Sequence, residues 1–191
     1  LRRARARVPW IVWLGLLSAP LARGAEAPLP AAHPASGLKA WYAPGAFDLA
    51  AGTWPDASGN GWLATLTGSG FASLNVAGHG AAVAVPALSG TTASVVSFGS
   101  IVDAEFTVCS ITRYTSDNSD NQGRILQGDP TWAHGHHGSK AGVLYYHPYD
   151  ITQWQNHVNP VTNWVVMCGT NSDLDLALVN GADVWEEKNY P

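Results

Sequence analysis

Apolar residues in this chain come in short runs between clusters of Gly, Asn, Asp and Ser, and they never settle into a helical stripe of useful length. The runs cover residues 38–42, 62–66, 81–85, 94–98, 106–114, 124–127, 142–146, 164–168 and 174–179, and each is read as a strand. Phe106, Val108, Ser110 and Thr112 alternate with Thr107, Cys109, Ile111 and Arg113. Both faces of that strand are partly apolar, as expected inside a two-sheet sandwich. Asn180-Gly181 is a two-residue hairpin signal, because both central positions of such a turn need positive φ. It predicts a returning strand through Ala182-Asp183-Val184-Trp185. Only a tail, 186–191, follows, so the sandwich is expected to be truncated at its C-terminal strands.

Composition strengthens this reading. The 191 residues include 20 Gly and 12 Pro, which favours an antiparallel sandwich or jelly roll over a parallel α/β sheet. With 46% hydrophobic and 13% charged residues, the chain can fill a core and does not resemble a disordered one. Its net charge of -4 is unevenly distributed. Arg2, Arg3, Arg5, Arg7 and Arg23 lie in the first 24 residues, which hold no acid. From Ala25 onward the bases are Lys39, Arg113, Arg124, Lys140 and Lys188, against all 14 acids. No cluster of cations is available to neutralise phosphates, so nucleic acid is excluded as a partner.

The arginine-rich start is followed by an apolar run, 8–17, and by the small-x-small site Ala22-Arg23-Gly24. This is the layout of a secretory signal peptide, 1–24, and it predicts a secreted or cell-surface protein. The apolar run falls short of the roughly 20 residues that cross a bilayer, and no later segment is longer, so no transmembrane segment is expected. Residues 25–36, rich in Ala and Pro, read as a flexible lead-in. Cys109 and Cys168 are the only cysteines. In an exported protein an even count points to a disulfide; two buried thiols are the alternative.

Gly37-Leu38-Lys39-Ala40-Trp41-Tyr42, then Asp56-x-Ser58-Gly59-Asn60-Gly61 and a strand, resembles the opening of laminin-G-like domains of the concanavalin A-like lectin/glucanase superfamily. Residues 106–111, 164–169 and the Leu178-Val179-Asn180-Gly181 hairpin fit the same pattern. The resemblance spans residues 37–184; the proposed domain is 37–185. It implies a jelly roll acting as a binding module for carbohydrate or extracellular matrix. The closing strands usual in the family are not visible. Some laminin-G-like domains hold calcium, which places a candidate calcium site at Asp56 and Asn60. By their own chemistry, Asp56, Ser58 and Asn60 are turn builders first, with Gly59 and Gly61 supplying backbone angles that other residues avoid. One short turn also supplies fewer than the six oxygens that calcium requires.

The most unusual stretch, 123–149, concentrates His, Trp and Tyr among glycines. Aromatic rings stack on the apolar face of a sugar, and polar neighbours bond its hydroxyls. The candidate ligand residues are Arg124, Gln127, Asp129, Trp132, His134, His136, Tyr146 and, further on, Trp154. The competing reading puts the aromatics in the core and the histidines in a solvated loop. His134, His136 and His137 also invite a zinc or copper reading, although nothing in the sequence makes them converge. Residues 117–123 form an oxygen-rich loop that misses the spacing of an EF-hand and reads as a polar hairpin tip.

Enzymes of the superfamily use paired acids on one strand, or a Gln-apolar-His strand together with a Lys-Ala-Gly-apolar strand. Asp173-Leu174-Asp175 lacks the third acid. Lys140-Ala141-Gly142-Val143 lacks its Gln-x-His partner. A glycan-active hydrolase or lyase, with His136 or Tyr145 as acid/base, is therefore the alternative to a binding module. A purely structural or adhesive domain is the third reading.

Overall fold

The β-branched and aromatic runs fold as antiparallel strands joined by glycine turns, and among the described residues helix is limited to one short 3-10 turn, Ser119–Asn121. The computed structural model describes residues 37–128, 131–146, 149–152, 154–171 and 176–186. The signal peptide, the lead-in, Asp129, the Asp173/Asp175 pair and all of the tail beyond Glu186 lie outside these residues. The chain divides into two compact units, one running to Leu66 and including Val96–Ile101, the other holding Thr67–Val95 and everything from Val102 onward.

β1 (Thr53–Trp54) pairs with β2 (Ala64–Gly68), which joins β5 (Ser94–Ser97) in a three-stranded sheet. Trp54 packs edge-on against Tyr42 and Phe47, with ring centroids 5.8 and 5.6 Å apart. The expected strand at 38–42 does not form. Its backbone bonds to the 56–60 turn instead of a neighbouring strand. Trp41 N donates to Asp56 Oδ1 (2.8 Å), Ala57 N donates to the Trp41 carbonyl (2.7 Å), and Asn60 Nδ2 donates to the carbonyls of Leu38 and Lys39.

In the second unit, β3 (Ala72–Gly78) and β4 (Ala81–Ser89) make a two-stranded hairpin. Two four-stranded antiparallel sheets follow. One contains β6 (Thr107–Thr112), β11 (Val165–Thr170), β12 (Ala177–Val179) and β13 (Ala182–Asp183), in the order β13-β12-β11-β6. The other contains β7 (Leu126–Gly128), β8 (Trp132–His137), β9 (Lys140–Tyr146) and β10 (Tyr149–Asp150), in the order β10-β9-β8-β7. The predicted Asn180-Gly181 hairpin is present as β12–β13, with φ of 49° and 84° at the two turn residues.

The two sheets bury a shared core of Leu144, Tyr146, Ile151, Val165, Met167 and Val179. Their close approach relies on glycine. A Cβ at Gly169 of β11 would lie 2.6 Å from Leu144 Cδ2 of β9. Cys109 of β6 lies directly opposite Cys168 of β11, with Cα atoms 4.1 Å apart, and the two are joined in a disulfide. Of the two readings left open by the sequence, the bridge is the one present. Among the described residues, no helix is long and apolar enough to cross a membrane.

Candidate functional site

The stretch expected to present a ligand surface contains a strand that the apolar pattern did not mark. β8 has the sequence Trp132-Ala133-His134-Gly135-His136-His137, with too few aliphatic residues to read as a strand. It sits in the middle of its sheet, paired with β7 and β9. The β8–β9 register shifts at Gly135/His136, where Gly135 has φ 85° and Gly142 on β9 has φ 83°. Both glycines also make room. A Cβ at Gly135 would meet Thr112 Oγ1 at 3.1 Å, and one at Gly142 would meet His157 Cβ at 2.8 Å.

Alternation sorts the candidates into two groups, and the inner group holds most of those expected to bind ligand. His134 is fully buried, its Nε2 3.3 Å from the Met167 carbonyl and its Nδ1 2.9 Å from the Tyr146 hydroxyl. The carbonyl can only accept, so in the neutral ring Nε2 carries the proton and Nδ1 accepts from Tyr146. Burial pushes the His134 pKa down to about 4, against a smaller upward pull from the Met167 carbonyl. His136 is also fully buried, with Nδ1 3.1 Å from Thr112 Oγ1 and its ring edge-on to Tyr114. Burial, and then neighbouring His134, lower its pKa to about 4. Tyr146 is buried, and desolvation raises its pKa. Trp132 packs against the core, its ring 6.1 Å from those of both Phe106 and Tyr146. The interior, and not an outer surface, holds His134, His136 and Tyr146.

The outward group is smaller. His137, at the end of β8, packs against Trp154, with centroids 4.7 Å apart. Tyr145, the neighbour of buried Tyr146, stacks on the same indole at 5.7 Å and 25°. Gln127 is exposed and continues the row of Tyr145 through their shared partner Ala133. Arg124 is half-buried just before β7.

Trp154 is held by a segment stitched along β9. At one end Leu144 N donates to Thr152 Oγ1 (2.9 Å), and the Leu144 carbonyl accepts from Ile151 N (3.0 Å). At the other, Ala141 N donates to Asn156 Oδ1 (3.0 Å), and the Ala141 carbonyl accepts from His157 N (2.9 Å). Between these anchors Trp154 has φ 54°, a left-handed conformation uncommon for a bulky side chain. Its ring is thereby fixed against His137 and Tyr145. His136 and Tyr146, expected to bind ligand together with Trp154, lie inside, and the residues beside Trp154 are their chain neighbours His137 and Tyr145. Lys140, directly opposite His137, was also missed as a site residue.

The Asp56 turn is fully engaged in hydrogen bonds within the chain. Oδ1 accepts from Trp41 N and Ser58 N, both at 2.8 Å, and Oδ2 accepts from Ser58 Oγ (2.7 Å) and Trp62 N (3.2 Å). Burial alone would raise the Asp56 pKa, but these bonds outweigh it and hold the carboxyl below its usual value. A cation at Asp56 and Asn60 would compete with these donors for the same oxygens. Among the described residues, no three His, Cys, Asp or Glu side chains gather in a metal-binding group, and the β8 histidines are split between inner and outer faces.

No family model, curated protein or solved structure matches the chain.

Proposed function

We propose that this chain is a secreted carbohydrate-binding domain of jelly-roll type, similar to laminin-G-like domains, and that it binds through the outward face of β8 and β9. One observation carries this reading. Trp154 is fixed in a left-handed conformation, with its ring against Tyr145 and His137, by hydrogen bonds on both sides. Aromatic rings clustered beside a polar rim offer stacking for a pyranose and hydrogen bonds for its hydroxyls. Gln127 and Arg124 supply part of that rim. The buried His134, His136 and Tyr146 support the fold and lie out of reach of a surface-bound polysaccharide. Of the two acid/base candidates in the hydrolase or lyase alternative, only Tyr145 faces outward, and the binding role requires nothing of it beyond its ring. Export follows from the signal-peptide pattern of residues 1–24 and accords with the disulfide.

A glycan array with the intact domain and its Trp154→Ala variant tests the proposal. The wild type is expected to bind at least one glycan class, and the variant to bind it about tenfold more weakly or worse. Equal binding by both proteins would contradict the assignment.

A further inference from the structure

The cations of the domain are distributed in a way that specifies the ligand further. Of the five basic residues after Ala25, Lys188 lies outside the described residues, and two of the others are occupied on aromatic rings elsewhere. Arg113 lies over Trp164, 5.2 Å from the ring centroid, and donates to the Tyr114 carbonyl. Lys39 lies over Trp62 at 5.4 Å. Arg124 and Lys140 remain, and the topology brings both to the same end of the aromatic face.

Two pairings show this. Lys140 is directly opposite His137 across the β8–β9 turn. Arg124 precedes β7, which runs antiparallel to β8 with Leu126 opposite His134, so going back from Leu126 along β7 runs toward the His137 end of β8. Ser139 N, in the β8–β9 turn, donates to the Gln122 carbonyl (3.1 Å), tying the segment before Arg124 to that turn. His137 is the shared neighbour. Its pKa is lowered by burial and then by the charges of Arg124 and Lys140, so its ring is neutral at neutral pH. His137 Nδ1 is buried and has no hydrogen-bond partner among the described residues. A domain with 14 acids thus places two cations and an unpartnered ring nitrogen beside its outward aromatic cluster.

We propose that this face binds a pyranose carrying an anionic group, stacked on Trp154, with the anion held at the His137 end by Arg124 and Lys140. The inference rests on the glycan-binding reading above and selects among glycans. It reverses the expectation from overall charge, under which an acidic domain favours neutral sugars, because Arg124 and Lys140 act at close range at the His137 end, whereas Asp150, the acid that pairs with Tyr145, belongs to the opposite end of β9. The shared ligand chemistry is a single negative charge on the sugar, which a uronic carboxylate or a sulfate ester can each supply.

Affinity electrophoresis of the intact domain in gels containing a polyuronate, a sulfated galactan or a neutral glucan tests this. The wild type is expected to be retarded by one or both anionic polymers and not by the glucan. The Arg124→Gln/Lys140→Gln double variant should lose that retardation by about tenfold in affinity, and Arg124→Lys/Lys140→Arg should keep most of it. Which anionic polymer responds identifies the anion. Retardation by neutral glucan alone, or anionic binding unchanged in the double variant, would overturn the anionic assignment and leave the glycan-binding reading intact. No retardation by any of the three, together with an empty glycan array, would remove both. Thermal melts of each variant separate lost binding from lost folding.

Discussion

At the scale of single residues, the clearest physical assignment is Asp56. Its carboxylate accepts four hydrogen bonds, from Trp41, Ser58 (twice) and Trp62, and so ties an otherwise strandless segment to the 56–62 turn. Asp56→Ala removes every acceptor at once and leaves backbone donors unpaired. It is expected to cost about 2–3 kcal/mol in urea unfolding, whereas Asp48→Ala, which loses two exposed bonds, should cost about 1 kcal/mol. Equal losses would show that the turn does not act as a clasp. The turn was legible in the sequence because Asp, Ser, Asn and Gly at these spacings build turns. Its consequence was not. Leu38 to Tyr42 has the composition of a strand, and nothing local reveals that its backbone bonds are taken by a turn 15 or more residues away.

At the scale of elements, β6, β11 and β8 show where an apolar pattern succeeds and where it fails. β6 and β11 were readable as strands from their apolar runs, but β6, expected inside a sandwich because both its faces are partly apolar, is the half-exposed edge strand of its sheet. β8 was not readable, because histidines and a glycine replace aliphatic residues in a strand buried along most of its length. Tyr146 and Met167 supply hydrogen bonds to both nitrogens of His134, and Thr112 pairs with His136 Nδ1, while His136 Nε2 is buried without a partner among the described residues. Once β8 is known to be a strand, alternation from Trp132 places His134 and His136 on the inner face and His137 on the outer one, so what the sequence pattern lacked was the strand itself. On β9, Gly142→Ala meets both a left-handed φ and a 2.8 Å approach to His157 Cβ, and it is expected to cost about 2–4 kcal/mol. Gly138→Ala, in the turn, has positive φ but open space, and should cost only about 1 kcal/mol. Chemical denaturation of the two variants checks the difference; equal costs would mean that close packing at Gly142 adds nothing.

At the scale of the whole molecule, two features set the conditions under which the fold holds. The first is the pair of buried imidazoles. Above about pH 6.5 both rings are neutral whether the chain is folded or not, so they leave stability unchanged there. As pH falls from 6.5 toward 4, the unfolded chain takes up protons that folded His134 and His136, with pKa near 4, still refuse. Stability therefore falls with pH across that window, by about 3 kcal/mol for each ring acting alone. Urea midpoints at pH 7.5, 6 and 4.5 should decline in that order, and His136→Gln should flatten the slope. A flat profile in the wild type would contradict the buried neutral rings. The second feature is the Cys109–Cys168 bridge, which closes a separation of 59 residues and contributes about 2–4 kcal/mol by restricting the unfolded chain. Replacing both cysteines with Ser should lower the unfolding free energy by that amount at neutral pH. The all-β, disulfide-bridged character was readable from composition and cysteine count. The division of the histidine-rich stretch into an inner row, His134 and His136, and an outer position, half-buried His137 against Trp154, was not.

That division is the central claim, and indole ¹⁵N–¹H NMR during titration with a bound polysaccharide tests it most directly. The Trp154 indole resonance should shift as ligand is added, in step with the Tyr145 ring signals, while the Trp132 indole stays in place. A shift at Trp132 with Trp154 unmoved would place the ligand on the other side of the sheet and contradict the account.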